Sequence, residues 1–128
     1  MCPCHSQIAY AECCKPFHDR TRLPENASLL MRSRYSAYAL GLVDYIIQTT
    51  HPTNPLFTKS PLEIRKEIFY FCEETQFTGL EILNFTDGET KAYVTFVAHL
   101  IQGGKKIRFT EKSLFLKQEK QWLYAQKC

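Results

Sequence analysis

The chain has 128 residues, of which 45% are hydrophobic and 13% aromatic, and its formal net charge is +3. This length and apolar content suit one domain with one hydrophobic core and exclude a disordered tail. The charge is too small to indicate nucleic-acid binding by itself, because such sites normally show a concentrated basic face. No apolar run approaches the length of a transmembrane helix, so we expect a soluble protein with no membrane contact.

The first fourteen residues contain four cysteines, arranged as two pairs, Cys2/Cys4 and Cys13/Cys14. Structural zinc takes four sulfur or nitrogen ligands in a tetrahedron, commonly as two ligand pairs that are each held by a turn. Each pair here is close enough in sequence to approach one ion from one side. The spacing therefore predicts a single structural zinc ion bound by all four thiolates.

Two alternatives to this metal site are disulfides and free or redox-active thiols. A disulfide framework would have to cross between the pairs, since adjacent cysteines such as Cys13 and Cys14 are awkward partners for each other. No apolar signal-peptide run follows Met1, so we expect a cytoplasmic protein with reduced thiols, where cysteine clusters indicate metal or catalytic sites. His5 and His18 are competing ligands, but four sulfurs already complete a tetrahedral shell.

Two helices are predicted after the cysteine pairs. Lys15–Pro24, with two prolines and mixed charge, is typical of a linker. Apolar side chains recur with helical spacing over Glu25–Leu40 and the pattern ends at Gly41. A shorter helix over Val43–Thr50 is stopped ahead of Pro52, because the residue before a proline is pushed out of the helical region.

The third helix has the clearest start signal in the chain. Ser60 is the predicted N-cap, Pro61 takes the first helical position and Glu63 completes a capping box. The helix is predicted to run to about Thr75. Its inner side is predicted to carry Leu62, Ile64, Ile68, Phe69 and Cys72.

From Gln76 onward the apolar periodicity changes to two, which indicates strands. Asp87-Gly88 and Gly103-Gly104 are hairpin signals, and short connections of this kind join antiparallel neighbours. The pattern therefore predicts an α+β fold in which an antiparallel meander follows the helices, with helices on one face of the sheet and its own curl or a partner subunit on the other. The four predicted strands are Gly79–Phe85, Thr90–Ile101, Lys105–Leu116 and Trp122–Gln126.

Two stretches carry a resemblance to known families. The pattern Cys2-x-Cys4-x8-Cys13-Cys14, with Ser6 and Tyr10 inside it, resembles the SEC-C motif, the zinc-binding element at the C-terminus of the translocation ATPase SecA. The whole chain resembles the YchJ family of uncharacterised bacterial proteins. That likeness rests on LMRSRYSAY at Leu30–Tyr38, His51-Pro52, and the residues Phe115-Leu116-Lys117, Trp122 and Tyr124.

The resemblance implies a nuclear transport factor 2-like fold, a curved antiparallel sheet wrapped around N-terminal helices to form a cone with an internal pocket. It also implies a small metal knuckle, residues 1–18, ahead of a nuclear transport factor 2-like domain, residues 25–128. One departure is that His5 and Gln7 replace two glycines of the usual SEC-C motif. Because non-glycine residues are strained at positive φ, we expect either a different turn or a backbone without that requirement.

The implied pocket has four candidate polar residues, Arg34, Tyr38, His51 and Glu111. Arg34 has the planar fork to hold an anionic ligand, His51 is a candidate general base, and Glu111 would supply an opposing carboxylate. Structural roles are the alternative: Arg34 paired to Glu111 or bonded to backbone carbonyls, His51 as a turn residue, and the tyrosines as core. Cys72 is expected to act as a small buried hydrophobe.

Three function classes follow. The leading hypothesis is a non-enzymatic, zinc-binding adaptor whose knuckle contacts a protein partner. The second is a small-molecule-binding protein or enzyme that uses the cone pocket, for which fold analogy is the only warrant. The third, less favoured, is nucleic-acid association, with Phe17 and tyrosines for stacking. The cations available for that role are Lys15, Arg20, Arg22, Arg32 and Arg34.

Overall fold

A computed structural model describes all residues, Met1–Cys128. A 3-10 turn at Tyr10–Glu12 precedes four α-helices, and a second 3-10 turn at Pro55–Thr58 lies between the last two of them. The helices are α1 (Lys15–His18), α2 (Ala27–Leu40), α3 (Val43–Gln48) and α4 (Pro61–Glu74). The strands are β1 (Thr75–Asp87), β2 (Lys91–Gln102), β3 (Lys105–Gln118) and β4 (Gln121–Lys127).

The helices start and end where their local chemistry requires. The Asn26 side chain accepts a hydrogen bond from the Leu29 amide at the start of α2, and Gly41 ends that helix at φ 72°. The Ser60 hydroxyl accepts from the Glu63 amide at the start of α4, as the predicted N-cap does. The linker prediction is wrong for Lys15–His18, which is helical and buries the Phe17 side chain.

The sheet is a four-stranded antiparallel meander in the order β1-β2-β3-β4, as predicted. β1 begins at Thr75, directly after α4, and therefore earlier than the predicted Gly79. The added segment is held by tertiary pairing, since Thr75 lies opposite Gln102 of β2. The turn between β3 and β4 uses Glu119 and Lys120 at positive φ, without the glycine that usually marks such a hairpin.

The core divides into two clusters, one on each side of α2. Between α2 and the inner face of the sheet lie Leu30, Tyr35 and the alternating β2 residues from Ala92 to Leu100. On the other side, Ile64 and Ile68 of α4 pack with Tyr45 and Ile46 of α3 and with Phe17. The sheet is thus covered by helices on one face, which agrees with the predicted α+β class.

Two residues predicted for the inner side of α4 are exposed instead. Leu62 is 63% exposed and Phe69 is 49% exposed, whereas Ile64 and Ile68 are buried. The reason is that α4 packs on the second cluster through a narrow stripe at i, i+4 and i+8, from Ile64 to the half-buried Cys72, while Phe71 beside that stripe contacts the main core. Leu62 and Phe69 belong to neither of these contacts, so they stay exposed.

Candidate functional site

The four cysteines of the knuckle converge on one point. Their Sγ atoms all lie within 4.8 Å of one another. Cys4 Sγ is 3.6 Å from Cys13 Sγ, and Cys13 Sγ is 3.9 Å from Cys14 Sγ. An ideal tetrahedron of sulfurs around zinc has an edge of about 3.8 Å, given a zinc–sulfur bond of about 2.3 Å. The thiols are therefore placed as a closed four-sulfur metal site requires.

Turns at both ligand pairs produce this convergence. The Cys2 amide donates to the Ile8 carbonyl at 2.8 Å, which closes the first loop, and the His5 amide donates to the Cys2 carbonyl at 3.1 Å. The 3-10 turn presents the second pair, since the Cys13 amide donates to the Tyr10 carbonyl at 3.0 Å. The Ser6 hydroxyl lies 3.1 Å from Cys13 Sγ. Ser6 lies within the cysteine pattern, but nothing in the sequence indicated this contact with a thiol.

The electrostatics of the cluster favour a bound cation. Cys2, Cys4 and Cys14 are buried. A hydrogen bond from Cys14 is the largest factor that lowers the pKa of the Cys4 thiol to about 4, whereas burial raises the pKa of Cys13 to about 11. The hydrogen bond to Cys4 and burial also raise the pKa of Cys14. A metal ion supplies the positive charge that lets all four thiols ionise together.

The first loop of the knuckle adopts the left-handed backbone that the usual glycines would favour. His5 has φ 63° and Gln7 has φ 70°. The expectation that the turn differs, or never required positive φ, is therefore wrong. His5 compensates through its ring, whose Nε2 lies 3.2 Å from the Phe77 carbonyl and which packs edge-on against Tyr35. Gln7 is exposed.

Replacing Gln7 with glycine is expected to stabilise the protein by up to about 1 kcal/mol. A left-handed non-glycine residue costs about 1–2 kcal/mol, and the greater unfolded-state entropy of glycine offsets about half of that. Gln7→Ala is the matched control, because it removes the side chain but keeps the Cβ that causes the strain. Thermal denaturation of the variants measures the effect, and equal stabilisation by alanine would contradict backbone strain as its cause.

The knuckle is held against the domain by two further side chains, Arg32 and His18. Arg32 of α2 donates to the Cys4 carbonyl at 3.1 Å. His18 donates from Nε2 to the Ser33 carbonyl at 2.8 Å, which leaves Nδ1 to accept from the Tyr10 hydroxyl at 2.8 Å. Burial lowers the pKa of His18 and so favours this neutral form. Neither His18 nor His5 belongs to the four-sulfur cluster, as predicted.

A cavity of about 200 Å³ lies between α2, α4 and the inner face of the sheet. Ten of its thirteen lining residues are hydrophobic, and the remaining three are Arg34, Glu111 and Ser113. The alternation of residues along β2 and β3 indicated which strand residues face inward, but it did not predict that the cavity has an aromatic wall. That wall includes Phe71, Phe77, Phe96 and Phe109.

Arg34 is the buried charged group of this cavity, with only 5% of its surface exposed. Its Nη1 donates to the Ile46 carbonyl at 3.1 Å and to the hydroxyls of Thr49 and Thr50 at 2.8 and 3.1 Å. Its guanidinium carbon also lies 4.8 Å from the centroid of the Tyr124 ring. The hydrogen bond to the Ile46 carbonyl agrees with one of the structural roles predicted for Arg34, namely bonding to backbone carbonyls.

The other predicted pocket residues divide between the cavity and the surface. Tyr38 and Glu111 line the cavity. Glu111 accepts from the Ser113 hydroxyl at 2.8 Å and forms no ion pair with Arg34. His51 lies outside the cavity lining, and its Nδ1 is 2.8 Å from the Thr53 hydroxyl, so it acts as a turn residue. The predicted ion pair of Arg34 with Glu111 and the pocket position of His51 are therefore not found.

The cations considered for nucleic-acid binding are engaged within the chain. Lys15 pairs with Asp19, Arg22 pairs with Glu25, and Arg20 donates to the Gln121 side chain. Arg32 and Arg34 are bonded to backbone carbonyls, as described above. This distribution favours the metal site and the cavity over a nucleic-acid surface. Separately, no helix is long and apolar enough to cross a membrane.

Comparison with known proteins agrees with both the fold and the cysteine cluster. The family described as "YchJ, middle NTF2-like domain" matches residues 26–127. The chain belongs to the YchJ family. It is 34% identical over 126 residues to the UPF0225 protein YchJ of Shigella dysenteriae, an alignment that covers 97% of this chain and 80% of that protein.

Two solved structures are similar to this chain over nearly its whole length. A SEC-C motif containing protein from Rhodopseudomonas palustris has a TM-score of 0.88 and 32% identity, over 99% of this chain and 96% of that one. A second SEC-C motif containing protein, from Psychrobacter arcticus, has a TM-score of 0.82 and 27% identity, over 98% and 80% of the two chains. The shared architecture thus includes the knuckle as well as the domain.

Proposed function

We propose that this YchJ-family chain is a non-enzymatic, zinc-binding adaptor, in which one structural zinc ion orders the knuckle for contact with a protein partner. The observation that carries the proposal is the convergence of four cysteine Sγ atoms within 4.8 Å of one another. Four protein sulfurs fill a tetrahedral shell and leave no position for a reactive water. Such a site stabilises structure and does not activate substrates.

Zinc is favoured over other metals by the ligand set and by the resemblance to the SEC-C motif. Tetrahedral four-sulfur sites suit zinc or iron–sulfur chemistry, and hard cations such as magnesium prefer oxygen ligands. The four ligands lie within fourteen residues and enclose a space sized for one ion. Because the thiols must stay reduced to bind the metal, we place the protein in the cytoplasm.

The adaptor role is supported by the hydrogen bonds that attach the knuckle to the domain. Bonds from Arg32, His18 and His5 fix it to the domain, so that its remaining surface is presented rigidly. Ile8, in the first loop between the ligand pairs, is 48% exposed and offers an apolar contact to a partner. The partner surface would therefore exist only while the metal holds that loop.

Replacing Cys14 with serine is expected to remove both the metal and the partner. Wild-type protein purified under reducing conditions should contain about one zinc ion per chain, and Cys14→Ser should contain almost none. Cys128→Ser is the matched control, because Cys128 is exposed and lies outside the cluster. Elemental analysis measures the metal, and affinity capture measures the partner. Metal-free wild-type protein with four titratable knuckle thiols would contradict the zinc site, and a partner retained by Cys14→Ser would contradict the adaptor role.

A second candidate function is small-molecule binding in the cavity. The observation that favours it is the burial of Arg34 beside a cavity of about 200 Å³, without a carboxylate partner. Buried charges are normally paired, so this arrangement suits a site completed by a ligand. Saturable chemical-shift changes of cavity residues on addition of a ring-sized probe such as toluene would support this function. Their absence with toluene and with polar single-ring probes, each up to its solubility limit, would contradict it.

A further inference from the structure

We infer that the cavity binds an uncharged, ring-sized molecule whose polar end carries a hydrogen-bond acceptor next to a donor, as a primary aromatic amide does. This inference rests on the proposed small-molecule function of the cavity and specifies its ligand class. It differs from the anion clamp that Arg34 alone would suggest. The decisive residue is Glu111, which lines the same cavity.

The size of the cavity limits the ligand to about one ring. Its volume is about 200 Å³. A cavity of about 150 Å³ with apolar walls holds benzene, so the space here accepts a six-membered ring with a small substituent. A fused two-ring ligand would need more room or movement of the walls. The ligand is therefore expected to have roughly ten non-hydrogen atoms, the size of a substituted benzene.

The walls of the cavity select an aromatic or similarly flat apolar body. Phe71 and Phe77 stand at 76° to each other with centroids 5.7 Å apart, and Phe96 and Phe109 stand at 71° with centroids 6.3 Å apart. These edge-to-face pairs present ring faces and edges that a further aromatic ring can contact in the same way. Phe109 is 38% exposed, which places an edge of the cavity at the surface for ligand entry.

Arg34 offers hydrogen-bond donors to a ligand in the cavity. All of its hydrogen bonds to the protein come from Nη1. No side-chain nitrogen or oxygen of the protein is fully buried without a partner, so Nε and Nη2 retain access to open space. Because Arg34 is only 5% exposed and lines the cavity, that open space is the cavity. A ligand oxygen is the group that these donors require.

Glu111 supplies an acceptor and adds a negative charge to the cavity that Arg34 also lines. One of its oxygens, Oε2, accepts from Ser113, which leaves Oε1 for a ligand donor. An anionic ligand would meet a like charge here in a site with apolar walls, where repulsion is costly. Arg34 and Glu111 both act on Tyr124: burial raises the pKa of its hydroxyl most, the Glu111 charge raises it further, and the Arg34 charge lowers it. Arg34, Glu111 and Tyr124 all line this one cavity, so a ligand there meets charges of both signs and should itself be uncharged.

Titration of the full, zinc-loaded chain with benzamide, benzoate and toluene tests the inference. The three probes share one ring and differ in the polar group: acceptor plus donor, anionic acceptor, or neither. We expect benzamide to bind about tenfold or more tightly than either other probe, because benzoate meets Glu111 and toluene leaves both charges unpaired. Protein-observed NMR reports both the affinity and the location of binding.

Glu111→Gln sharpens the test because it keeps the shape of the cavity and removes the negative charge. This variant should bind benzoate at least as tightly as benzamide, while Glu81→Gln, at a site 57% exposed and paired with His99, should leave the wild-type order unchanged. Tighter binding of benzoate by the wild-type chain, or equal binding of all three probes, would overturn the inference but keep a ligand-binding cavity. Binding of none of them would overturn both.

Discussion

Chelation of zinc is expected to abolish hydrogen-exchange protection in the knuckle while the four-stranded sheet stays protected. Fewer than twenty residues cannot bury a core of their own, so we expect the order of the knuckle to depend on the proposed metal ion, whose binding contributes about 10–16 kcal/mol in comparable small sites. The main core between α2 and the sheet contains no cysteine. Its backbone hydrogen bonds should therefore survive loss of the ion.

The expected boundary of this effect lies at α1. The amides of His18 and Asp19 donate to the carbonyls of Cys14 and Lys15, so they should lose protection together with the ligand pairs. The chelator saturated with zinc beforehand is the control for nonspecific effects. Exchange measured by mass spectrometry should show unchanged protection in β1–β4, and loss of protection throughout those strands would show that the metal site is integral to the whole fold.

Arg34→Ala is expected to destabilise the protein by about 2–4 kcal/mol. The substitution removes the hydrogen bonds of a buried charged donor, whose two Nη1 hydrogens are shared among three acceptors, and a bond of this kind is worth about 1.5–3 kcal/mol. Part of that cost is recovered because the guanidinium no longer has to be desolvated. It also removes the contact with the Tyr124 ring, which lies 4.8 Å from the guanidinium carbon. The cost comes from the contacts with α3 and the residues that follow it, because no ion pair with Glu111 exists to be broken.

Urea denaturation of Arg34→Ala and of Arg108→Ala measures this effect against a matched control. Arg108 is exposed on β3, and surface substitutions of this kind usually change stability by less than about 0.5 kcal/mol. A lower midpoint with an unchanged slope for Arg34→Ala would confirm the structural role. An unchanged midpoint would show that folding does not need Arg34, and it would favour ligand binding as the reason for its burial.

Most of the architecture was predictable because the local signals agree with one another. The change of apolar period at Gln76 separates helices from strands, and Asp87-Gly88 and Gly103-Gly104 place two of the hairpins. Gly41 and Ser60 mark helix ends through backbone chemistry that operates within a few residues. The convergence of the two cysteine pairs was equally predictable, since the chemistry of a ligand cluster depends on residue type and spacing.

The site could be predicted only in part, because burial and direction depend on contacts distant in sequence. Tyr38, Arg34 and Glu111 do line one cavity, but His51 is turned away by its bonds to Thr53 and to the Tyr124 carbonyl. Helical periodicity predicted that Phe69 lies on the inner side of α4. It is instead 49% exposed, because no other element covers that side of the helix. Periodicity identifies a face of an element and does not identify what covers it.

By itself, the sequence determined the element order, the α+β class and the set of cysteines that converge in the knuckle, because each depends on short-range spacing and residue chemistry. Tertiary structure alone decided that the knuckle docks through Phe17, that His5 and Gln7 adopt positive φ, and that Arg34 bonds to α3 instead of Glu111. These features depend on packing between segments far apart in the chain. Packing chooses among local conformations and partners that differ by only a few kcal/mol, a difference too small for local sequence patterns to resolve.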